Sequence, residues 1–238
     1  MRKKVLDIIK KIFLVKKEVY DFNKSNPLGG NGERVDIQLN DKLNFDKLDV
    51  YQRNHLKRYE FAKHYIKENE ICGDFACGTG YGSVLLASKA KQVIGADINA
   101  EVIEKISLRY DSIKNVSFFH KNILELDYEN KFDSIVSFET LEHFEEENII
   151  KLLTIYNRAL KQSGKIIFST PYMQEKSEEA MKMGFHFTFY IDEIKIEKWC
   201  NQTGFKIELV KFQNYNTHLI EDNLQNKEFI ICIASKTV

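Results

Sequence analysis

The segment DFACGTGYG, residues 74–82, is the most informative stretch of this chain. It follows a short apolar run and precedes residues with helical spacing, which predicts a glycine-rich turn between a strand and a helix. Glycines in such a turn allow a tight bend and let a ligand approach the backbone closely. A dinucleotide fingerprint would place a third glycine at position 83, which is serine, and no phosphate-loop lysine follows. We therefore expect a ligand without a pyrophosphate on the helix N-terminus.

An acidic residue ends the next predicted strand, residues 92–96. The carboxylate of Asp97 can accept hydrogen bonds from both hydroxyls of a ribose. The glycine-rich loop and the carboxylate of Asp97 together predict an adenosine-type ligand. The alternative is a turn that serves packing alone, and the position of Asp97 disfavours it.

Strands and helices alternate over most of the chain. Strands are predicted at 71–75, 92–96, 116–119, 132–138, 165–170, 205–212 and 228–234, and helices at 51–69, 82–89, 100–110, 148–160 and 192–203. Elements of this length and order predict βαβ units. The expected fold is α/β, a doubly wound Rossmann-like seven-stranded sheet that is mostly parallel, with an antiparallel C-terminal strand and helices on both faces.

The chain is expected to have two parts. Residues 1–50 form an amphipathic helix and a loop, because apolar residues recur at positions 5, 8, 9 and 12. This helix packs on the body or a dimer partner, or lies on a membrane surface as a peripheral contact. Residues 51–238 form the main domain. Within it, residues 172–190 are rich in methionine and phenylalanine and are predicted to be a substrate lid at the carboxyl edge of the sheet.

The composition excludes several classes of protein. With 35 basic and 35 acidic side chains, the chain lacks the excess positive charge of proteins that coat nucleic acid. About 18 consecutive apolar residues, the minimum for a membrane span, occur nowhere. The four cysteines form no close pair, which favours a reducing cytoplasm.

Four stretches, DFACGTGYG, IGADI (94–98), HKNI (120–123) and FDSIVSFETLEHF (132–144), resemble the successive motifs of class I S-adenosylmethionine-dependent methyltransferases. The resemblance spans about residues 50–236 and implies an enzyme whose cofactor is S-adenosylmethionine. Many members have aspartate at position 122, where an amide can still pair with the adenine amine. The resemblance implies cofactor contacts from Asp74, Ala76, Gly78, Gly80 and Tyr81 in the loop, Asp97 at the ribose, Ile98, Asn122 and Ile123 at the adenine, and Phe138 beside the sulfonium.

A narrower resemblance lies upstream. The stretches GER (32–34) and NHLKRYEFA (54–62) are similar to bacterial methyltransferases encoded with surface-glycan biosynthesis enzymes. This similarity implies that Arg58 and Tyr59 lie near the carboxylate of the cofactor; a solvated helix face is the alternative. It also implies O-methylation of a small hydroxylated acceptor or glycan precursor in polysaccharide (capsule or lipopolysaccharide) biosynthesis. Acceptors that carry phosphate or phosphoramidate groups are included.

The segment after the fourth predicted strand holds the candidate catalytic residues. If it forms a helical turn, Glu139, Glu142 and His143 share one face. Two carboxylates and an imidazole can hold a divalent metal such as Mg or Mn. The same E-x-x-E-H run resembles ubiquinone-pathway O-methyltransferases and small-RNA 3′-terminal 2′-O-methyltransferases. In the latter a later histidine completes the metal site, which here implies His186.

Three interpretations of this segment stay open. All four residues bind a metal, His143 acts as a metal-free base, or His143 is a structural residue beside the cofactor. Without a metal, His186 belongs to the lid or contacts the substrate. Two other functions compete with the leading one. They are a metal-dependent RNA 3′-terminal 2′-O-methyltransferase, which the balanced charge disfavours, and a catalytically silent cofactor-binding subunit.

Overall fold

The computed structural model describes residues 34–39 and 43–237 of the 238-residue chain. The predicted N-terminal helix, and with it the proposed dimer or membrane contact, lies outside the described residues. The division of the chain into residues 1–50 and 51–238 therefore stays a prediction. The chain folds into two compact units, one ending at Lys121 and the other beginning at Asn122.

The first unit contains three parallel strands in the order β3-β2-β1. Its elements are α1 (Val50–His64), β1 (Ile71–Phe75), α2 (Tyr81–Ala87), β2 (Gln92–Asp97), α3 (Ala100–Arg109) and β3 (Val116–His120), preceded by a 3₁₀ turn at Phe45–Lys47. The strand register places Asp74 beside Gly95 and Asp97 beside His120. The carboxyl ends of β1 and β2 therefore bring the glycine loop and Asp97 to the same edge.

Side-chain caps set where α1 and α3 begin. Asp49 and Gln52 form a reciprocal capping box at the start of α1, and the Asn99 side chain accepts from the Val102 amide at the start of α3. Helix α1 ends at His64, five residues before the predicted end. The polar residues that follow form a turn, in which the Glu70 amide donates to the Lys67 carbonyl.

The second unit contains five strands in the order β4-β5-β8-β6-β7. Its elements are β4 (Phe132–Phe138), α4 (Glu146–Ala159), β5 (Leu160–Pro171), α5 (Glu178–Met183), α6 (Glu193–Gln202), β6 (Phe205–Gln213), β7 (Ile220–Glu221) and β8 (Phe229–Lys236), with 3₁₀ turns at Ile123–Glu125 and Leu141–His143. Strands β4 and β5 are parallel, whereas β8 is antiparallel to both β5 and β6. The predicted antiparallel C-terminal strand is confirmed.

The α/β architecture with a mostly parallel sheet is confirmed, but the described residues contain eight strands and the prediction of seven is wrong. The additional strand is β7, which pairs Ile220 and Glu221 with Gln213 and Phe212. Two residues cannot show an alternating hydrophobic pattern, so the sequence carries no signal for this strand.

The predicted lid, residues 172–190, contains one short helix, α5. Its Ser177 side chain accepts from the Ala180 amide, and Gly184 ends it in the left-handed conformation. In the described ranges, no helix has the length and apolar character that a membrane span requires.

Candidate functional site

The glycine loop after β1 adopts a backbone that favours glycine. Gly78 and Gly80 have φ angles of 52° and 75°, and Ala76 also has a positive φ of 61°. A Cβ atom on Gly80 would lie 2.9 Å from the ring of Phe118. A Cβ on Gly78 would meet no atom of the described structure within 4 Å. The loop thus packs tightly beneath Gly80 and leaves the backbone at Gly78 open to a ligand.

Asp97, at the end of β2, is fixed by hydrogen bonds from the backbone. Its Oδ2 accepts from the Gly78 amide at 3.0 Å, and its Oδ1 accepts from the Asn99 amide at 3.0 Å. The Arg34 Nη2 atom also contacts Oδ1, at 3.4 Å. The glycine loop therefore holds the carboxylate that the sequence assigns to a ribose.

A buried carboxylate supports the loop from below. Asp74 is fully buried, and it accepts hydrogen bonds from the Tyr59 hydroxyl at 3.1 Å and from Ser83 Oγ at 2.5 Å. Burial raises the pKa of Asp74 to about 7, although both hydrogen bonds lower it. Burial is also the main cause that raises the pKa of Tyr59 well above its ordinary value. Both oxygens of Asp74 are engaged inside the protein, and direct cofactor binding by this residue stays a prediction.

Arg58 and Tyr59 on α1 are buried, with exposures of 1% and 5%. The alternative interpretation of this pair as a solvated helix face is therefore wrong. A Cβ on Gly82 would lie only 2.1 Å from the Tyr59 ring, so the glycine at position 82 lets α1 and α2 approach each other. This packing places Tyr59 directly against the helix that the glycine loop opens.

The other predicted cofactor residues of the first unit have contrasting environments. Tyr81 is buried, its ring meets the Tyr59 ring edge-on, and its hydroxyl has no hydrogen-bond partner in the described structure. Burial raises the pKa of Tyr81 well above its usual range. Ile98 is exposed, as expected of a residue that would pack on an adenine.

In the second unit, Asn122 begins the 3₁₀ turn that follows β3. Its Oδ1 accepts from the Leu124 amide at 3.0 Å, and its Nδ2 donates to Glu125 at 3.4 Å. Ile123 and Phe138 are both buried at 6% exposure. Asn122 therefore has a capping role, and adenine recognition by Asn122 and Ile123 stays a prediction.

The structure brings together three of the four predicted metal ligands. Glu142, His143 and His186 each offer a ligand atom within 4.8 Å of the others. Glu142 is buried and accepts from Thr170 Oγ1 at 3.0 Å. The rings of His143 and His186 meet edge-on with their centroids 5.1 Å apart. One carboxylate and two imidazoles are a donor set that Mg, Mn, Fe or Zn can accept.

Each histidine makes a hydrogen bond through Nδ1. His143 Nδ1 lies 2.9 Å from the carbonyl oxygen of Phe185, and His186 Nδ1 lies 2.7 Å from Oε1 of Gln174. Because a backbone carbonyl oxygen only accepts, Nδ1 of His143 donates, and the neutral ring of His143 carries its lone pair on Nε2. Such an arrangement suits metal ligation as well as proton acceptance.

Glu139 is not part of this cluster. It has a φ of 48°, and its Oε1 accepts from Ser169 Oγ at 2.6 Å. The helical turn covers only Leu141–His143, and Thr140 has φ −132° and ψ −42°. The expected helical face shared by residues 139, 142 and 143 is therefore absent from this segment, because the chain enters the turn through a left-handed residue.

Four residues of these sites had no role assigned from the sequence, although Thr79 and Arg34 lie within the stretches DFACGTGYG and GER. Ser83 and Thr79 are polar contacts of the loop, Gln174 orients His186, and Arg34 reaches Asp97 across 63 positions. In the sequence, Ser83 is notable only because it occupies the position of the third glycine of the dinucleotide fingerprint. Its hydroxyl explains why serine suits this position, because it donates to the buried Asp74.

A glycine-rich loop after β1, with a carboxylate at the end of β2, is the arrangement typical of the Rossmann-like α/β class of folds. Residues 73–164 match the family described as "Methyltransferase domain". An RNA methyltransferase of Mycoplasma mobile, itself described as uncharacterized, is 33% identical over 99 residues, which are 40% of this chain and 27% of that protein. A protein of Mycolicibacterium smegmatis described as a probable S-adenosylmethionine-dependent methyltransferase is 28% identical over 120 residues, 50% of this chain and 44% of that protein.

The chain thus spans less than half the length of either relative. Among solved structures, it is similar to magnesium protoporphyrin IX methyltransferase from Synechocystis with bound SAH, the demethylated cofactor S-adenosylhomocysteine. The TM-score is 0.61 at 16% identity, over 82% of this chain and 89% of the other, which shows a common fold. Residues 73–164 therefore match a methyltransferase domain, and the chain shares the fold of this solved methyltransferase.

Proposed function

We propose that this protein is an O-methyltransferase that transfers the methyl group of S-adenosylmethionine to a hydroxyl of a small molecule or glycan precursor. The observation that carries the cofactor assignment is the Asp97 carboxylate, which the Gly78 amide holds beside an open stretch of loop backbone. Asp97 would bind the ribose hydroxyls, and Ile98 would pack on the adenine. Arg58, Tyr59, Asp74, Ala76, Gly78, Gly80 and Tyr81 would form or support the remainder of the site in the first unit.

When bound, S-adenosylmethionine would supply the methyl group, whose bond to sulfur would break as the bond to the acceptor oxygen forms. The acceptor hydroxyl must also lose its proton. The lone pair of His143 Nε2 would accept that proton, because Nδ1 is held as a donor by the Phe185 carbonyl. Glu139 and His186 would orient the acceptor, and Phe138 would line the site beside the reacting groups.

The proposed acceptor is uncharged or anionic and small. Equal numbers of basic and acidic side chains give the molecule no general attraction for nucleic acid. The similarity of residues 54–62 to glycan-associated methyltransferases supports a role in the biosynthesis of bacterial surface polysaccharides. The four cysteines are free and buried, which suits a proposed site of action in a reducing cytoplasm.

The test is a panel of acceptors incubated with methyl-labelled S-adenosylmethionine. It contains nucleotide sugars, lipid-free glycan precursors with and without phosphate or phosphoramidate groups, and short single-stranded RNAs. We expect label on a hydroxyl of a sugar-containing acceptor, and none with the Asp97→Ala variant. Label on RNA alone would contradict the proposed acceptor, and binding of SAH without transfer to any acceptor would favour a silent subunit.

One observation favours a second function, the metal-dependent RNA 3′-terminal 2′-O-methyltransferase. Glu142, His143 and His186 place their ligand atoms within 4.8 Å of one another, and these residues would hold a divalent cation such as Mg or Mn. The cation would polarise the acceptor oxygen and lower its pKa. The name of the Mycoplasma mobile relative also supports RNA as an acceptor. Loss of activity in a chelator, restored by Mn²⁺, together with transfer to an RNA 3′ end would establish this second function.

A further inference from the structure

A segment without regular secondary structure lies against the candidate cofactor site of the first unit. This segment, residues 34–39, is here called the strap. The carbonyl of Val35 accepts from Thr79 Oγ1 at 2.9 Å, which joins the strap to the glycine loop. The carbonyl of Asp36 accepts from Gln52 Nε2 at 2.8 Å, and Ile37 is fully buried. The strap is therefore attached both to the loop and to α1.

A partly buried ion pair anchors the middle of the strap. The Asp36 carboxylate accepts from Arg109 Nη1 at 2.7 Å, and the Asp36 side chain is only 6% exposed. Such a distance is typical of a strong charge-assisted hydrogen bond. The contact holds the strap in place whether or not its first residue moves.

Arg34 makes a much weaker contact. Its Nη2 atom lies 3.4 Å from Asp97 Oδ1, which is longer than the usual ~2.7–2.9 Å of a charge-assisted bond. Its Nη1 atom is buried and has no hydrogen-bond partner in the described ranges. A buried charged donor without a partner is costly, so little free energy holds the guanidinium in this position.

The contact nevertheless uses part of Asp97 that a ribose would need. A carboxylate accepts about four hydrogen bonds, two on each oxygen. Oδ2 accepts from the Gly78 amide and has one further position. Oδ1 accepts from the Asn99 amide and from Arg34, so both of its positions are taken. Two ribose hydroxyls can bind one to each oxygen only if Arg34 leaves Oδ1.

We propose that Arg34 is a displaceable latch on Asp97, which a ligand with ribose hydroxyls displaces and a ligand without them does not. This inference rests on the proposed assignment of Asp97 to the cofactor ribose. When the latch is closed, Arg34 and the ribose compete for Asp97. Only the molecules with an open latch are ready to bind, so the apparent affinity for the nucleoside falls as the closed fraction rises. Arg34 is thus a specificity-determining residue, since it selects nucleosides that can take over the carboxylate.

The test compares the Arg34→Met variant with the wild-type protein by calorimetry with SAH. Methionine keeps an unbranched apolar side chain at this position and removes the donor that competes for Oδ1 of Asp97. Because a partly exposed ion pair is weak, we expect SAH to bind about two- to fivefold more tightly. The 2′,3′-dideoxyribose analogue of SAH should bind both proteins equally. The matched control is Arg53→Met, whose side chain donates to the Leu48 and Asp46 carbonyls, and it should leave both affinities unchanged.

Unchanged or weaker binding of SAH by Arg34→Met, or an equal gain for the dideoxy analogue, would overturn the latch. A wild-type protein that binds no SAH at all would overturn the proposed function and the latch with it. If Arg34→Met and a second variant, Arg34→Gln, both fail to fold, the proposal is tested by NMR on the wild-type protein. The NMR signal of its Arg34 Nε–H group should shift with SAH and stay in place with the analogue, and an equal shift with both contradicts the proposal.

Discussion

Asp97 illustrates how one side chain can combine support for the backbone with recognition of a ligand. Two backbone amides donate to its carboxylate, so its orientation is fixed before a ligand arrives. Preorganised acceptors of this kind bind hydroxyl donors without a further loss of side-chain entropy. The bond from the Gly78 amide also ties the glycine loop to the end of β2, so Asp97 contributes to the shape of the loop.

The Asp97→Ala variant should bind SAH about 10- to 100-fold more weakly than the wild-type protein. Hydrogen bonds to a charged acceptor contribute about 1.5–3 kcal/mol each, and this variant removes the acceptor of the ribose hydroxyls. Isothermal titration calorimetry measures the change. The control is Asp111→Ala, an exposed carboxylate of the same unit, which should bind SAH normally. Normal affinity in Asp97→Ala would remove this residue from the cofactor site.

Asp74 should make the stability of the protein depend on pH. Burial raises its pKa to about 7 in the folded protein, from an ordinary value of 3.8. Between about pH 4 and pH 7 the folded state therefore binds more protons than the unfolded state, and the contribution of this group to stability falls as the pH rises. The Asp74→Asn substitution removes this dependence of the stability on pH. We expect urea unfolding to show a smaller stability difference between pH 5 and pH 7 in the variant.

The matched control for this measurement is Asp111→Asn, which should keep the wild-type dependence on pH. An Asp74→Asn protein with the same difference between pH 5 and pH 7 as the wild type would show that Asp74 is already ionised throughout this range.

His143 should act on turnover and not on cofactor binding. In His143→Ala the proton acceptor is lost, and the loss of general base catalysis typically lowers the rate about 10²- to 10⁴-fold. The affinity for SAH should stay within about twofold of the wild type. Both quantities are measured in a buffer that contains a chelator, with the acceptor identified by the panel. The control is His64→Ala, an exposed histidine at the end of α1.

An unchanged rate in His143→Ala would exclude the histidine from the mechanism. A wild-type rate that disappears in the chelator and returns with Mn²⁺ would instead make His143 a metal ligand, in agreement with its place beside Glu142 and His186.

At the level of elements, the contact between α1 and α2 depends on a single glycine. A Cβ at position 82 would overlap the Tyr59 ring, at 2.1 Å from its nearest atom. Gly82→Ala should therefore destabilise the protein by about 1–3 kcal/mol, as overpacking of a core typically does. Urea unfolding measures this change.

A double-mutant cycle provides the control for the glycine. If the overlap with Tyr59 is the cause, the Gly82→Ala substitution should cost much less in a Tyr59→Ala background than in the wild type. An equal cost in both backgrounds would show that the strain arises elsewhere in α2.

The sequence predicted most elements because their patterns are local. The apolar run at β4 and the cap of α6 by Asp192 matched the structure to within about one residue. Strand β7 and helix α5 were missed, since two and six residues are too few to show a period. The turn at Leu141–His143 was expected to begin at residue 139, but the left-handed backbone of Glu139 leaves no trace in a sequence pattern.

The candidate sites were predictable only in part, for a related reason. The glycine loop and Asp97 are recognisable because turn, strand and acid follow each other at short spacing. The contacts of Arg34 with Asp97 and of Asp36 with Arg109 join residues 63 and 73 positions apart. Such long-range pairs depend on the folded arrangement, so no spacing rule could indicate them.

At the level of the whole molecule, the balance of charge bears on the acceptor. The chain has 35 basic and 35 acidic side chains, whereas affinity for RNA at physiological salt comes largely from contacts between basic residues and phosphates. We expect a fluorescently labelled single-stranded RNA to show no binding at protein concentrations up to about 10 μM in 150 mM salt. That concentration lies within the ~1–100 μM range of dissociation constants typical of non-specific binding. Fluorescence anisotropy provides the measurement, with bovine serum albumin as a non-binding control.

Binding of the RNA below that protein concentration, weakened steeply by added salt, would reveal a local basic surface and move the proposed acceptor from a small molecule to RNA. The metal cluster of Glu142, His143 and His186 would then be the part of the molecule to test first, because the RNA function requires it and the small-molecule function does not.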